Sequence, residues 1–256
     1  MISKNVFLLG LLVVFGVLMM MSVSATVNIV GPDNNVWSSV PHTVQNFTYN
    51  HNESGNLSNC TLWLNNTNTG SIFAPVNVTE LVNDTNYYAK SNTSFTEGIN
   101  QWYVQCINGT GYQDNSTTRT INYDSLGPVL NIALPINNSY AGSVASINGT
   151  ASDAGSGINS STLSLHLVNS TGGCLNWTNN SWIASGSCNS APAPGASDWT
   201  SPNAVTLVGS NWNYTFNQAS LSSGGSYNIT ARVTDNVTLG EPHLNTQTNI
   251  FTFDNT

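Results

Sequence analysis

The amino-acid sequence predicts an all-β protein, a sandwich or barrel that is built from many short strands. Apolar and polar residues alternate with a period of two, and no stretch after residue 25 shows a helical period. Gly, Asn, Asp and Ser separate the alternating runs, as turn residues do between short strands. The clearest runs are residues 61–64, 102–106, 163–167 and 227–233.

The N-terminus has the three parts of a secretory signal peptide. Lys4 supplies a basic residue, residues 6–21 are apolar, and small residues follow up to Ala25. This apolar run is shorter than the roughly 18–20 residues of a membrane-spanning helix. We therefore expect a signal peptide at residues 1–25, cleavage before Thr26, and an extracellular or cell-surface location. A retained membrane anchor is the alternative.

The charge of the chain excludes a nucleic-acid-binding role. The formal net charge is −8, and Lys and Arg together number only 4. Binding to a phosphate backbone requires clustered basic residues. Binding to an anionic membrane surface is disfavoured for the same reason.

Asparagine takes the place that charged residues usually have at a protein surface. The chain has 39 Asn, and 19 of them stand in N-x-S/T sequons. N-linked glycans are bulky and lie at the surface, so we expect glycosylation at some of these sites. The alternative is that Asn and Thr are simply common in turns. The candidate sites are Asn46, Asn77, Asn108, Asn148, Asn176, Asn213 and Asn228.

The cysteine content agrees with export. An even number of cysteines in an exported chain predicts disulfide bonds, here two, and three pairings are open. A zinc site is disfavoured because the sequence has no C-x-x-C pair. The four residues are Cys60, Cys106, Cys174 and Cys188.

An internal repeat indicates two copies of one architecture. Trp102 aligns with Tyr227, Val104 with Ile229 and Cys106 with Ala231, and all three pairs lie on one strand face. Each segment leads to a terminal strand, at 118–124 and 248–254, with an offset of about 125 to 130 residues. A Gly-Pro step at 127–128 marks the boundary. This predicts domains at 26–125 and 126–256 and favours the pairings Cys60–Cys106 and Cys174–Cys188.

The chain resembles the tandem immunoglobulin-like modules of archaeal and bacterial cell-surface proteins. In the first half the resemblance rests on residues 59–65, 92–94, 97–98 and 102–106, and in the second half on 148–153, 155–158 and 227–235. It implies two immunoglobulin-like β-sandwich domains in tandem after the signal peptide.

The resemblance also implies where the two disulfides lie. In antibody-type domains the disulfide joins strands in opposite sheets. Here Cys60 stands in what should be the third strand, so a Cys60–Cys106 bond is expected between neighbouring strands, at a sheet edge or in a loop. The Cys174–Cys188 bond is expected to staple a hairpin that is inserted in the second domain.

No residue pattern predicts an enzyme. The sequence has no G-x-S-x-G elbow, and no histidine is paired with an acid and a nucleophile. His166 alternates out of phase with Leu165 and Leu167, so we expect it on the solvent side of its strand.

One acidic arrangement predicts a metal site. In an immunoglobulin-like sandwich the loops after the second and sixth strands lie at the end where the domain begins. Asp153 and Asp235 fit these loops, and Asp124 lies just before the second domain. Calcium prefers such oxygen ligands, so the three carboxylates predict a Ca²⁺ site at the joint between the domains. The alternative is that each Asp forms an Asx-turn. No other cofactor is expected.

Three functions remain open from the sequence. The first is a structural or adhesive surface module, with other surface proteins or polysaccharide as partners. The second is a filament subunit that self-associates by strand donation, with residues 26–30 either as the donor or as an ordinary first strand. The third is a carbohydrate-binding protein that uses Trp177, Trp182 or Trp199, since Trp63 and Trp102 are expected to be buried. Residues 253–256 resemble 123–125, so the chain is either complete or the start of a longer array.

Overall fold

The structure is a computed structural model that describes residues 26–51, 57–65, 67–68, 72–74, 85–108, 111, 113–191, 196–201 and 203–256. The predicted signal peptide at 1–25 and the sequon at Asn77 lie outside these residues. Among the described residues the regular secondary structure is all β-strand, apart from a single 3₁₀ turn at Gln218–Ser220, which confirms the all-β prediction. Within the described residues, no helix is long and apolar enough to cross a membrane.

Strands β1 to β10 form two sheets. Alternate residues of β3 are buried, because a strand in a sandwich turns every second side chain toward the core. The four-stranded sheet has the order β1-β3-β7-β6, and the six-stranded sheet has the order β2-β10-β8-β4-β5, with β9 paired to β8. The strands are β1 (Val27–Gly31), β2 (Val36–Ser38), β3 (Phe47–His51), β4 (Leu57–Leu64), β5 (Thr67–Asn68), β6 (Ile72–Ala74), β7 (Tyr87–Lys90), β8 (Gly98–Asn108), β9 (Gln113–Asn115) and β10 (Arg119–Tyr123).

Strands β11 to β20 repeat this arrangement with two further sheets. The four-stranded sheet has the order β11-β13-β18-β17, and the six-stranded sheet has the order β12-β20-β19-β14-β15-β16. The strands are β11 (Val129–Leu134), β12 (Ser139–Ala141), β13 (Ser146–Ser152), β14 (Ile158–Asn169), β15 (Cys174–Asn176), β16 (Ser181–Ile183), β17 (Thr206–Val208), β18 (Asn211–Thr215), β19 (Gly225–Asp235) and β20 (Leu244–Phe253).

The strand order is that of an immunoglobulin-like β-sandwich. Such a domain has strands A, B, E and D in one sheet and G, F and C in the other, and variable-type domains add C′ and C″ beside C. The order β11-β13-β18-β17 corresponds to A-B-E-D, and β20-β19-β14-β15-β16 corresponds to G-F-C-C′-C″. The hairpin β15–β16, which the sequence predicted as an insertion, therefore extends the six-stranded sheet.

The chain divides into two compact units. The second unit consists of Asn35–Val40, Phe95–Asn100 and Ile121–Thr256, and the first consists of the remaining described residues. The domain boundaries predicted from the sequence, 26–125 and 126–256, stay a prediction.

Each unit has its own apolar core. In the first unit Phe47 of β3 meets Trp102 of β8 edge to face, with ring centroids 4.7 Å apart, and so joins the two sheets. In the second unit the core includes Trp212 of β18 and Ile229 of β19, which are fully buried. Full burial of one large apolar side chain such as Ile229 adds about 1.5–3 kcal/mol to the free energy of unfolding.

The repeat that aligned the two halves corresponds to β8 and β19. Trp102, Val104 and Cys106 of β8 are all buried, and the aligned residues of β19, Tyr227, Ile229 and Ala231, are buried as well. The N-terminal run predicted as a strand donor or an ordinary first strand is β1, and it pairs antiparallel with β3 of the same chain.

The two disulfides join Cys60 to Cys106 and Cys174 to Cys188. Cys60 and Cys106 face each other directly on β4 and β8, with Cα atoms 4.0 Å apart. β8 is an interior strand of the six-stranded sheet, whereas β5 pairs only with Trp63 and Leu64 of β4. Among the described residues no strand flanks β4 on its outer side at Cys60, which agrees with the expected sheet-edge position. The bond crosses neighbouring strands of one sheet, as predicted, and does not cross between sheets. The second bond links β15 to the loop after β16.

Candidate metal centre

Three carboxylates converge in the second unit. Asp124 directly follows β10, Asp153 directly follows β13, and Asp235 is the last residue of β19. One oxygen from each side chain lies within 4.8 Å of the other two. These are the three residues that the sequence singled out, and the strand ends bring them together because β13 and β19 finish at the same end of the second unit. The bound ion itself stays a prediction.

Asp124 is completely buried and holds the surrounding loops through both of its carboxylate oxygens. Its Oδ1 atom accepts a hydrogen bond from the Leu126 amide at 3.2 Å, and its Oδ2 atom accepts one from the Ser156 amide at 2.8 Å. The Asp124 amide donates to the carbonyl of Ser38 at 3.0 Å. The carboxylate is therefore fixed in place by backbone groups.

Only one of the two carboxylate oxygens of Asp153 accepts hydrogen bonds. Its Oδ1 atom accepts hydrogen bonds from the amides of Gly155 and Gly157, both at 2.9 Å. Its Oδ2 atom is buried and has no hydrogen-bond partner, and the buried hydroxyl of Ser156 in the following loop has none either. An unpaired buried carboxylate oxygen is costly, so these two oxygens are available to a ligand.

Asp235 is completely buried and is paired with a histidine that the sequence did not single out. His243 Nδ1 lies 2.6 Å from Asp235 Oδ2, and the His243 amide donates to Asp235 Oδ1 at 3.1 Å. His243 lies eight residues further along, just before β20. No periodicity marked it, because it comes from a loop whose path is set by the hairpin β19–β20.

Gly155 gives the loop its close approach to Asp124. A Cβ atom at position 155 would stand 2.5 Å and 2.6 Å from the two carboxylate oxygens of Asp124. Any other residue would therefore push the loop and the carboxylate apart. The signal in the sequence was the run Gly155-Ser156-Gly157 directly after Asp153.

The arrangement fits a hard divalent cation. Calcium–oxygen bonds are about 2.3–2.6 Å long, so two oxygens on one ion are at most about 5 Å apart. The three carboxylates meet this limit. In the part of the chain that the structure describes, no Lys or Arg forms an ion pair with them, and His243 is their one ion-pair partner. Their mutual repulsion in a buried site favours a cation.

The predicted glycosylation sites differ in accessibility. Asn46, Asn213 and Asn228 are exposed, whereas Asn148 and Asn176 are half-buried. Asn108 is the last residue of β8. The three exposed positions can carry a glycan without a change in the fold.

The tryptophans proposed as sugar platforms are engaged in packing. Trp199 is only 4% exposed, so its predicted role at the surface was wrong. Trp177 and Trp182 are half-buried against the core of the second unit. Their indole N–H groups donate to the carbonyls of Asp198 at 2.9 Å and Ser220 at 3.0 Å. Of the two tryptophans expected to be buried, Trp102 is buried and Trp63 is half-buried and stacks on Tyr103.

His166 is buried, and its predicted surface position was wrong. The residues after the β15–β16 hairpin return along β14, where the Thr200 amide donates to the Leu165 carbonyl at 3.0 Å. Trp199 thereby stacks on the His166 ring, with ring centroids 4.7 Å apart. Burial lowers the pKa of His166. Asp198 lies beside it, with 3.7 Å between His166 Nε2 and Asp198 Oδ2.

No protein-family model matches the chain, and no curated protein sequence matches it. Several solved structures are similar at low identity. The fibronectin(III)-like modules of CbhA from Clostridium thermocellum share 12% identity at a TM-score of 0.36, covering 90% of this chain and 94% of that one. The D00-D0 domain of intimin shares 12% identity at a TM-score of 0.38, covering 89% and 99%.

The titin domains z1z2, solved in complex with telethonin, share 11% identity at a TM-score of 0.29, covering 91% of this chain and 98% of that one. At this level of similarity, no activity or partner of the chain can be inferred from these proteins. The fold is identified by its own strand order as an immunoglobulin-like β-sandwich.

Proposed function

We propose that the chain is a non-enzymatic structural or adhesive module of an exported cell-surface protein, and that Ca²⁺ stabilises its second unit. The observation that carries the calcium proposal is the buried Oδ2 atom of Asp153, which has no hydrogen-bond partner and belongs to a carboxylate grouped with two other buried carboxylates. A module of this kind needs a rigid scaffold rather than a reactive centre.

The cation would act as a tie between three distant parts of the chain. Asp124, Asp153 and Asp235 lie at the ends of β10, β13 and β19. An ion that binds all three carboxylates favours the folded state over the unfolded one, because the unfolded chain does not assemble the site. The expected stabilisation is about 2.7 kcal/mol when free Ca²⁺ is at 100 times its dissociation constant.

Thermal unfolding with and without Ca²⁺ tests the site. The protein is first treated with EDTA, and Tm is then measured with Ca²⁺, with Mg²⁺, and with a monovalent salt at equal ionic strength. A rise in Tm with Ca²⁺ that saturates and exceeds the rise with salt supports the site. Equal shifts with Ca²⁺ and monovalent salt contradict it, because general screening acts without a specific ligand set.

Export and glycosylation are part of the same proposal. The protein isolated from the cell envelope should lack residues 1–25 and should carry glycans at one or more of Asn46, Asn213 and Asn228, which are exposed. Mass spectrometry before and after deglycosylation measures both. A chain that retains residues 1–25 and has no glycan at these sites contradicts this part of the proposal.

Carbohydrate binding is a second candidate, and one exposed aromatic residue favours it. Tyr140 on the edge strand β12 is 80% exposed and lines a pocket of about 320 Å³ with Ile136, Pro135 and several serines. No charged residue lines this pocket, so a neutral saccharide is the matching ligand class. Titration calorimetry with neutral polysaccharides should then give binding that Tyr140→Ala removes; equal heats for both proteins would contradict it.

A further inference from the structure

A second group of metal-ligating atoms lies in the second unit, away from the three aspartates. His166 of β14, Cys174 of β15 and Asp198 are all buried, and one ligand atom of each lies within 4.8 Å of the other two. Cys174 is bonded to Cys188 in the structure, so its sulfur atom is held by the disulfide. The ligand atoms of the three side chains nevertheless lie close together.

The distances in this group are close to those of a tetrahedral zinc site. Zinc bonds to His, Cys and Asp are about 2.0–2.3 Å long, which places neighbouring ligand atoms about 3.3–3.8 Å apart. The observed separations are 3.7 Å between His166 Nε2 and Asp198 Oδ2, and 3.9 Å between Cys174 Sγ and Asp198 Oδ2. A zinc ion could therefore be held with little movement of the side chains.

The histidine supplies an independent sign of a missing ligand. His166 Nε2 is buried and makes no hydrogen bond. It points to the same Asp198 oxygen that the sulfur approaches. The His166 ring stacks on Trp199, which fixes its orientation toward Asp198 before any metal binds. Burial lowers the pKa of His166, which keeps the imidazole in the neutral form that binds metals.

Asp198 is held in its ionised form by its neighbours. Burial acts to raise the pKa of the Asp198 carboxyl, but the hydrogen bonds that it accepts, chiefly from the side chain and amide of Asn189, outweigh burial and hold this pKa below its ordinary value. The Asn189 amide lies 2.5 Å from Oδ2, and its Nδ2 atom lies 2.9 Å from Oδ1. The carboxylate is therefore both charged and fixed.

We propose that the Cys174–Cys188 disulfide conceals a latent zinc site, and that reduction of this bond by a thiol creates a ligand set of His166, Cys174 and Asp198. Three protein ligands leave the fourth tetrahedral position to water. The site is separate from the Asp124, Asp153 and Asp235 cluster, and it binds a softer metal because it contains sulfur and nitrogen.

The exchange chemistry favours release of the correct sulfur. Cys188 is half-buried, whereas Cys174 is completely buried, so an incoming thiolate reaches Cys188 first. A bond forms between the thiolate and Cys188 Sγ, the disulfide bond breaks, and Cys174 Sγ leaves with the electron pair. A second thiol then frees Cys188 and produces the oxidised thiol dimer. The Cys174 thiolate next to Asp198 is repelled by the carboxylate, and a divalent cation relieves this repulsion.

The variant Cys188→Ser frees Cys174 without any reductant and leaves the Cys60–Cys106 bond intact. Co²⁺ serves as a coloured substitute for Zn²⁺, and saturating Ca²⁺ is present to occupy the aspartate cluster. We expect C188S to bind one Co²⁺ with a thiolate-to-cobalt charge-transfer band, which Zn²⁺ abolishes by displacement. Oxidised wild-type protein should show no such band.

Two matched controls identify the ligands. C174S/C188S lacks the thiolate and should show no charge-transfer band, and H166F/C188S should lose at least about 100-fold in Co²⁺ affinity. A folded C188S protein that binds no Co²⁺, or that binds it as tightly as H166F/C188S does, overturns the proposal. If C188S does not fold, the same titration on phosphine-reduced wild-type protein against reduced C174S/C188S decides: an equal response in both overturns the proposal.

Discussion

The backbone of Gly155 packs against the carboxylate of Asp124, and a Cβ atom at position 155 would lie within 2.6 Å of both carboxylate oxygens. The two residues are 31 positions apart, and Asp124 Oδ2 also accepts the amide of Ser156, the next residue. The loop after β13 thus packs directly against Asp124, which is one of the ligands of the candidate calcium site.

Gly155→Ala should therefore weaken the calcium site and destabilise the second unit. The added methyl group must displace either the loop or the carboxylate, and such overpacking costs about 1–3 kcal/mol. The Ca²⁺-dependent rise in Tm should shrink in the same variant. Gly142→Ala is the matched control, because its Cβ atom would meet only the Asp254 carbonyl oxygen at an ordinary 3.4 Å. Equal unfolding free energies and Ca²⁺ responses for the two variants would contradict this prediction.

The effect of Asp153→Asn on the free energy of unfolding should differ in sign between the Ca²⁺-free and the Ca²⁺-bound protein. The Asn side chain keeps an oxygen for the amides of Gly155 and Gly157, but it removes one charge from the cluster. Without Ca²⁺ the variant should be at least as stable as the wild type, since carboxylate repulsion is smaller. With Ca²⁺ in excess it should be less stable, since a ligand is lost. Denaturant unfolding in EDTA and in Ca²⁺ measures both. Asp33→Asn, an exposed residue of the first unit, should leave the Ca²⁺ response unchanged.

The buried histidine predicts how stability depends on pH in the oxidised, metal-free protein. The pKa of His166 in the folded protein lies below the unfolded value of 6.5, because burial disfavours the charged ring. The unfolded chain therefore takes up a proton first as pH falls. The free energy of unfolding should decrease as pH falls below 6.5 and level off below the folded pKa. His166→Phe keeps the stacking on Trp199 and should lose this dependence, whereas His42→Phe should retain it.

A second loss of stability should follow at lower pH, from Asp198. Its folded pKa lies below the ordinary value of 3.8, so its contribution is complete above pH 3.8 and is lost as pH falls through the folded pKa. Asp198→Asn should flatten the curve in that lower range. It should also deepen the change below pH 6.5, because the Asp198 carboxylate acts to raise the pKa of His166 against the effect of burial. If the curve of Asp198→Asn keeps the wild-type slope in the lower range, Asp198 is not held ionised in the fold.

The two disulfides should contribute unequally to stability. The Cys60–Cys106 bond spans 46 residues and the Cys174–Cys188 bond spans 14. The chain-entropy model gives about 4 kcal/mol for the first and about 3 kcal/mol for the second. C60A/C106A also empties two buried positions, whereas C174A/C188A empties one. Urea unfolding should thus show the larger loss for C60A/C106A, and a larger loss for C174A/C188A would contradict this account.

The sequence identified the carboxylates of the candidate site but not the residues that hold them. Asp153 and Asp235 could be placed because strand alternation located β13 and β19, and each Asp follows directly at the strand end. His243 could not be placed, because it reaches Asp235 from a loop without periodicity. Gly155 was visible only as part of a glycine-rich turn, since its contact with Asp124 joins distant segments.

The buried His166 shows why alternation alone misassigns a face. Period-two patterning assumes that one face of a strand meets solvent, and by that rule His166 should be exposed. The segment around Trp199 instead covers that face of β14, and it carries no strand pattern of its own.

The pairing of β12 with β20 has a mechanical consequence. β12 lies near the start of the second unit and β20 near its end, and the two strands run parallel, with Tyr140 opposite Thr252. Tension applied to the two ends of this unit pulls the paired strands past each other along their length. Their hydrogen bonds are loaded together in shear instead of opening one after another, so the unit resists stretching more strongly than an antiparallel pair peeled from its end.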